Sequence, residues 1–227
     1  MDYYWKEHFN ENAAKYENSL FKQVDMTVNG KEVDSIQVDL RVKSIINNLS
    51  LKSSDILLDI CCGNGMITSM LASYVSQIYS VDFSEGLINI ANSTNKKENI
   101  NYAVGNIVTL DYSKFKNVTK VCMSSGFQYL SADEAEIFMK NLSVLNSVTL
   151  YISNIPDKEK IWNYYNTDEK KAFYFQREKE GKPHIGTWWN KEDIEKLAEG
   201  NGFQCKFLDI DKGLNTSYYR FDVLLNK

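Results

Sequence analysis

Arginine is scarce in this chain of 227 residues: only Arg41, Arg177 and Arg220 occur among 26 basic and 30 acidic residues, and the formal net charge is −4. So mild an acidic balance, with so few forked cations, advertises no broad basic face for a nucleic-acid backbone. Histidine is scarcer still. His8 and His184 lie far apart, and none of the four cysteines (Cys61, Cys62, Cys122, Cys205) belongs to a Cys-x-x-Cys pair, so no metal site is expected. The same cysteines exclude a disulfide framework, two being adjacent and two lying in strand-like runs; they read as reduced, small core residues of a cytoplasmic protein. Long apolar runs are missing as well. The charged, aromatic start Met1-Asp2-Tyr3-Tyr4-Trp5-Lys6 lacks the apolar core of a signal peptide, and no later stretch is long enough to span a bilayer, so a cytoplasmic protein without a membrane partner is expected. No internal repeat or low-complexity tract occurs. A small-molecule substrate is the favoured partner.

What is present is 43% hydrophobic residues, enough for one domain with an adequate core and an added lid. The stretch Asp55-Ile56-Leu57-Leu58-Asp59-Ile60-Cys61-Cys62-Gly63-Asn64-Gly65 organises the rest. Its apolar run is too short for a free helix and apolar on both faces, which suits the centre of a parallel sheet. A turn of small residues follows, in which Gly63 and Gly65 let backbone N–H groups approach a ligand, and Met66-Ile67-Thr68 reads as the start of a helix. The next strand pattern, Gln77 to Asp82, ends in an acid 23 residues beyond Asp59, about where a ribose-binding carboxylate belongs in a βαβ unit. Asp82 also reads as a helix N-cap before Phe83-Ser84-Glu85, a role compatible with the first.

Leu58-Asp59-Ile60-Cys61-Cys62-Gly63-Asn64-Gly65, Val81-Asp82-Phe83-Ser84 and Gly105-Asn106-Ile107 resemble, in order and spacing, the first three motifs of the class I S-adenosylmethionine-dependent methyltransferases. The resemblance runs from about residue 50 to the C-terminus. It departs at Cys61, where many members carry the first glycine, and at Asn106, where aspartate is commoner beside the adenine. It implies a Rossmann-like α/β fold with a seven-stranded sheet of order 3-2-1-4-5-7-6, strand 7 antiparallel, and helices on both faces. It also implies S-adenosyl-L-methionine as cofactor, with Asp59, Cys61, Gly63, Gly65, Asp82, Phe83, Asn106, Ile107 and Ser124 as its contacts.

Along the chain, Trp5, Phe9, Tyr16 and Leu20 fall at helical intervals, so residues 3–21 predict an amphipathic helix, interrupted or bent near Asn10-Glu11-Asn12. With the backing helix behind it, this makes residues 1–49 an N-terminal helical lid unit, with Tyr16, Phe21 and Gln23 as lid candidates; residues 50–227 are the methyltransferase-like domain. Asn29-Gly30 predicts a small hairpin. Asp34 followed by Gln37 resembles a capping box, opening a helix whose stripe Ile36, Leu40, Ile45, Ile46, Leu49 is expected to back the first strand. Further strands are expected at Asn99–Val104, Val118–Met123 and Ser147–Ser153. Residues 157–186, crowded with aromatics, predict an insertion of one or two helices beside the acceptor pocket. Phe203 to Ile210 and Tyr218 to Asn226 predict a terminal antiparallel hairpin.

Methyl transfer from a sulfonium is a direct displacement, so alignment supplies much of the acceleration. A hydroxyl acceptor would need a base nearby, whereas an anionic oxygen would not. His184 is the candidate catalytic base because imidazole titrates near neutrality, with His8 a weaker one. Gln128, Tyr129 and Arg177 are candidate orienting groups, Arg177 offering a forked contact to an anion. The strand ending at Ser124 is followed by no Asn-Pro-Pro-Tyr pattern of the kind associated with amino-methylating DNA enzymes. The expected function is O-methylation of a small polar acceptor. A further resemblance of Leu20–Val24, Thr27–Gly30 and the cradle to a subgroup of bacterial surface-polysaccharide pathways implies a sugar or a phosphate-type (phosphoramidate) group as that acceptor. The alternatives are an N-methyltransferase on an amino sugar or amine, and a nonenzymatic S-adenosylmethionine-binding partner subunit. A dehydrogenase ranks last, since Thr68 stands where a third dinucleotide glycine would.

Overall fold

The computed structural model describes residues 3–227; Met1 and Asp2, part of the N-terminal start read above, lie outside the described residues. In chain order the strands are β1 (Thr27–Val28), β2 (Lys31–Glu32), β3 (Ile56–Ile60), β4 (Gln77–Asp82), β5 (Ile100–Val104), β6 (Lys120–Ser124), β7 (Thr149–Pro156), β8 (Gln204–Leu208) and β9 (Arg220–Asn226). The helices are α1 (Tyr3–Lys15), α2 (Leu20–Gln23), α3 (Ile36–Leu49), α4 (Met66–Leu71), α5 (Glu85–Thr94), α6 (Ala132–Leu142), α7 (Ile161–Tyr164), α8 (Asp168–Lys179) and α9 (Lys191–Gly200). No described helix is long and apolar enough to cross a membrane.

Seven strands form one sheet in the order β5-β4-β3-β6-β7-β9-β8. Counted along the sheet's own strands this is 3-2-1-4-5-7-6. The first five are mutually parallel, and β9 runs antiparallel to both β7 and β8. The pleat sends successive residues to opposite faces. Leu57, Ile78, Cys122 and Tyr151 pack with Val42, Ile45 and Leu49 of α3 and Leu71 of α4. Leu58, Ile60, Val121 and Met123 pack on the other face with Phe138 and Leu142 of α6 and Ile194 and Ala198 of α9. Burial on both faces explains why β3 and β6 read as apolar runs rather than as alternating strands.

The Asn29-Gly30 hairpin forms, both residues taking left-handed φ values of 51° and 74° between the paired β1 and β2. Two local expectations are corrected. α1 runs straight through Asn10-Glu11-Asn12 and ends at Lys15, because both asparagine side chains bond outward: Asn10 Oδ1 accepts from Ser84 Oγ (2.7 Å) and Asn12 Nδ2 donates to Asp25 Oδ1 (2.9 Å). The break comes at residues 16–19, where Ser19 caps α2 by accepting from Lys22 N at 3.1 Å. The Asp34/Gln37 capping box does not form. Gln37 instead bridges to a distant loop, donating to Gly213 O and accepting from Asn215 N. As expected, α3 backs the first sheet strand, Val42, Ile45 and Leu49 packing with Leu57, and it also lies against α4, β6 and β7.

Between β7 and α9 the aromatic-rich stretch folds as α7 and α8, and Arg177 of α8 reaches α1 by donating to Tyr4 Oη at 2.8 Å.

Candidate active site

The carboxyl ends of β3, β4 and β6 meet the lid around a cleft that opens to solvent. Ligands of open α/β sheets lie at this edge. Asp59, Gly63, Asp82 and Phe83 line one end; Arg41, Ser124, Ser125 and Tyr129 line the other; Phe9, Val24 and Met26 of the N-terminal segment cover it.

Asp82 closes β4 with its carboxylate 4% exposed, Oδ2 accepting from Gly63 N and Oδ1 from Ser84 N, each at 2.9 Å. It therefore ties the glycine turn after β3 to the start of α5. A carboxylate has about four lone-pair sites, so acceptor capacity remains toward the cleft. Burial pushes the Asp82 carboxyl up to about 6 against the pull of its amide donors. Asp59, also at about 6 through burial, receives Thr68 Oγ1 at 2.5 Å and Cys122 Sγ at 3.2 Å. Its contacts brace the turn from below.

The turn is conformationally committed. Cys61, Gly63 and Gly65 take φ values of 59°, 58° and 76°. At Gly65 a Cβ would lie 2.5 Å from Tyr102 Oη, so only glycine satisfies both backbone and space. Cys61 adopts the left-handed conformation at the position where the resembled motif carries glycine, and its side chain sits against Gly126. Asn64 is buried and holds the lid down, donating to Leu20 O and to Gln23 Oε1, both at 2.8 Å. Ser124 Oγ is buried without a hydrogen-bond partner where β6 meets the cleft.

The structure brings Asp59, Cys61, Gly63, Asp82, Phe83, Ser124 and Tyr129 together at the cleft. Others lie elsewhere. Gly65 caps α4 from behind the turn. Asn106 Oδ1 turns onto its own backbone, accepting from Val108 N at 2.9 Å, and Ile107 is buried in the core. Tyr16 is stacked under Lys15 and Lys22, Phe21 packs toward the core of α3, and Gln23 is fully buried in its bond to Asn64. Gln128 is buried behind the cleft, and Arg177 is engaged by Tyr4 and Glu180. His184 sits among Phe173, Tyr164 and Tyr165, its Nδ1 3.4 Å from Tyr165 Oη; burial, then Arg177, lowers its pKa. It does not line the cleft.

Sequence reasoning missed a polar network at the Arg41 end of the cleft. Arg41 of α3 donates through Nη1 to Ser125 Oγ (2.8 Å), which also receives Asn154 Nδ2 (2.7 Å). Arg220 Nη1 donates to the Asn154 carbonyl and to Gln128 Oε1. Ser125 and Asn154 both hold positive φ, 60° and 65°, and Asn154 sits in the bulge where β7 slips register against β9. One signal was available: Arg41 interrupts the buried stripe Val38, Val42, Ile45, Leu49 of α3.

Comparison with known proteins agrees with this geometry. The family described as "Methyltransferase domain" matches residues 57–147. A ubiquinone biosynthesis O-methyltransferase of Coxiella burnetii is 34% identical over 88 residues, covering 37% of this chain and 36% of that protein. A ribosomal RNA small subunit methyltransferase A of Natranaerobius thermophilus is 27% identical over 114 residues, covering 50% of this chain and 37% of that protein. The matches thus span little more than a third of the length of these relatives. The magnesium protoporphyrin IX methyltransferase of Synechocystis PCC 6803, solved with bound S-adenosylhomocysteine, superposes over 100% of both chains with a TM-score of 0.68 at 16% identity. Residues 57–147 thus match a methyltransferase domain, and the sheet order and overall fold are those of solved S-adenosylmethionine-dependent methyltransferases.

Proposed function

We propose that the protein is a cytoplasmic S-adenosylmethionine-dependent methyltransferase acting on an oxygen of a small polar acceptor, a sugar or phosphate-type group of a surface-polysaccharide precursor. The observation that carries the cofactor half is Asp82: a buried carboxylate at the end of the second sheet strand, joined to the Gly63 amide and facing the cleft. The residues present fit an adenosyl group. Asp82 would accept from the ribose hydroxyls, Phe83 and Leu87 offer apolar walls for the base, and the unpartnered Ser124 hydroxyl waits at the methyl end. Bound there, the cofactor supplies an electrophilic methyl carbon on sulfur.

The chain's own contribution is to orient and to exclude water. Asn64 and Gln23 clamp the lid, and Phe9, Val24 and Met26 cover the cleft, so the donor and acceptor are held together in a desolvated space where alignment lowers the barrier. The names of the relatives add a quinone precursor and a tetrapyrrole to the acceptors worth assaying.

Calorimetry with S-adenosylhomocysteine and with NADH, followed by isotope-labelled methyl transfer across nucleotide sugars, phosphorylated precursors, quinone precursors and amines, tests this reading. Binding of the first ligand alone and label on oxygen are expected. Heat only with NADH, or label solely on nitrogen, contradicts it.

A further inference from the structure

Arg41 lines one end of the cleft, and a second buried cation, Arg220, stands behind that lining, bonded to the Asn154 carbonyl and Gln128. Arg41 is 9% exposed and Arg220 7%, and among the described residues neither lies within 4.0 Å of a carboxylate oxygen. The Nε of each is buried without a hydrogen-bond partner. One carboxylate stands near, Asp222, but it is already occupied, accepting from Tyr151 Oη and from Asn154 N. One acid near Arg41 against two guanidiniums leaves positive charge over in a desolvated place, and buried unpaired charge is costly. The strain at Arg41 is visible in its acidity: burial first, and then the neighbouring Arg220, lower its pKa to about 10. A fold retains such an arrangement when an anion completes it.

The two side chains are also held in place rather than merely trapped. Ser125 and Asn154, both in left-handed backbone, link Arg41 to Arg220 through consecutive hydrogen bonds, so the guanidiniums keep a fixed mutual orientation. Fixed forks suit the planar or tetrahedral oxygens of carboxylates and phosphates.

Among the described lining residues none is a free base at this end of the cleft, and Asp25, the nearby acid of the N-terminal segment, is hydrogen-bonded to His8 and Asn12. The lining carboxylates, Asp59 and Asp82, are hydrogen-bonded at the opposite end, and burial raises the pKa of Cys61, Cys62 and Tyr129, keeping them neutral. His184 lies among aromatic rings outside the lining.

We propose that Arg41, backed through Ser125 and Asn154 by Arg220, forms an oxyanion subsite, and that the acceptor is a carboxylate or phosphate whose own anionic oxygen takes the methyl group. This rests on the methyltransferase reading and narrows its acceptor class. The step balances without a base: an oxygen lone pair forms the new O–CH3 bond, the S–CH3 bond breaks, and its electron pair stays on sulfur. The sulfonium becomes a neutral thioether, the acceptor loses one negative charge, and no proton is released.

The test is calorimetry on the full chain saturated with S-adenosylhomocysteine, titrating inorganic phosphate, acetate and benzoate against chloride at equal ionic strength. Binding of phosphate or of the carboxylates is expected, the responding probe telling which oxyanion is meant. Arg41→Gln is expected to weaken that binding at least tenfold, as is Arg220→Gln. Cooperative thermal unfolding of each variant shows that it folds; if Arg220→Gln does not, Arg41→Gln decides. No binding by any oxyanion, equal binding by chloride, or unchanged affinity in Arg41→Gln overturns the subsite. Failure of S-adenosylhomocysteine to bind in the first place overturns the methyltransferase reading instead.

Discussion

The two ends of the cleft are made differently. The cofactor end is nearly contiguous in sequence: Cys61, Gly63, Asp82 and Phe83 come from two neighbouring strands and the turns that follow them. Its groups are a tight turn, whose amides bond within the protein, and short acids. The acceptor end is assembled from Arg41 on α3, Ser125 after β6, Asn154 in a bulge of β7 and Arg220 on β9. Its groups are long side chains held by one another. A nucleotide cradle can be encoded locally because the turn geometry is the site. An acceptor pocket needs the tertiary fold before its parts meet.

Substitutions can break this contrast, the largest effect lying at the cofactor end. Asp82→Ala removes both the anchor of the Gly63 amide and the proposed ribose acceptor, so S-adenosylhomocysteine affinity in a calorimetric titration should fall roughly a hundredfold, on the order of 3 kcal/mol for lost charge-assisted hydrogen bonds. Gly65→Ala comes next. A Cβ there meets Tyr102 Oη at 2.5 Å in a left-handed backbone, and thermal unfolding should show a loss of about 2 kcal/mol. Asn64→Ala leaves Gln23 Oε1 buried without its donor, and a loss of about 1–2 kcal/mol is expected, with faster hydrogen exchange in α1 and α2 than in the sheet.

pH sharpens the same comparison. Because the Asp82 carboxyl titrates at about 6 when folded, above its ordinary value, the folded chain takes up protons before the unfolded one as pH falls. The sign follows: this group makes the ligand-free protein more stable as pH drops through 6 toward its unfolded value, while ribose hydroxyls, which donate, need the ionised form. S-adenosylhomocysteine affinity should therefore decline below pH 6 even as the free protein's melting temperature gains from Asp82. Smallest of all is Cys61→Gly. Relief of a left-handed residue, about 1 kcal/mol, is offset by lost contact with Gly126, and near-neutral stability is expected in thermal unfolding.

The same division governed what could be read from the chain before folding. The alternation of strands and helices, the Asn29-Gly30 hairpin, the glycine turn after β3, the acid that closes β4 and the terminal antiparallel strands rest on short-range patterns, and they are there. Asn106 was placed at the adenine by motif position alone. Its side chain satisfies a neighbouring amide instead, an ordinary behaviour for asparagine in turns. Tyr16 and Phe21 were picked as lid contacts on a helix imagined to continue to residue 21. The actual break at residues 16–19 rotates them away and presents Val24 and Met26. His184 was attractive for its chemistry, yet its position depends on how α7 and α8 fold back, which no local pattern specifies. Arg41 and Arg220 are separated by 179 positions, and only the sheet order brings them to one place.

The most direct test of the account is a crystal structure with S-adenosylhomocysteine. The ribose hydroxyls should lie within hydrogen-bonding distance of the Asp82 carboxylate, with the sulfur directed toward Ser124 and the Arg41 end of the cleft. A nucleoside bound elsewhere, or bound with its hydroxyls turned away from Asp82, contradicts it.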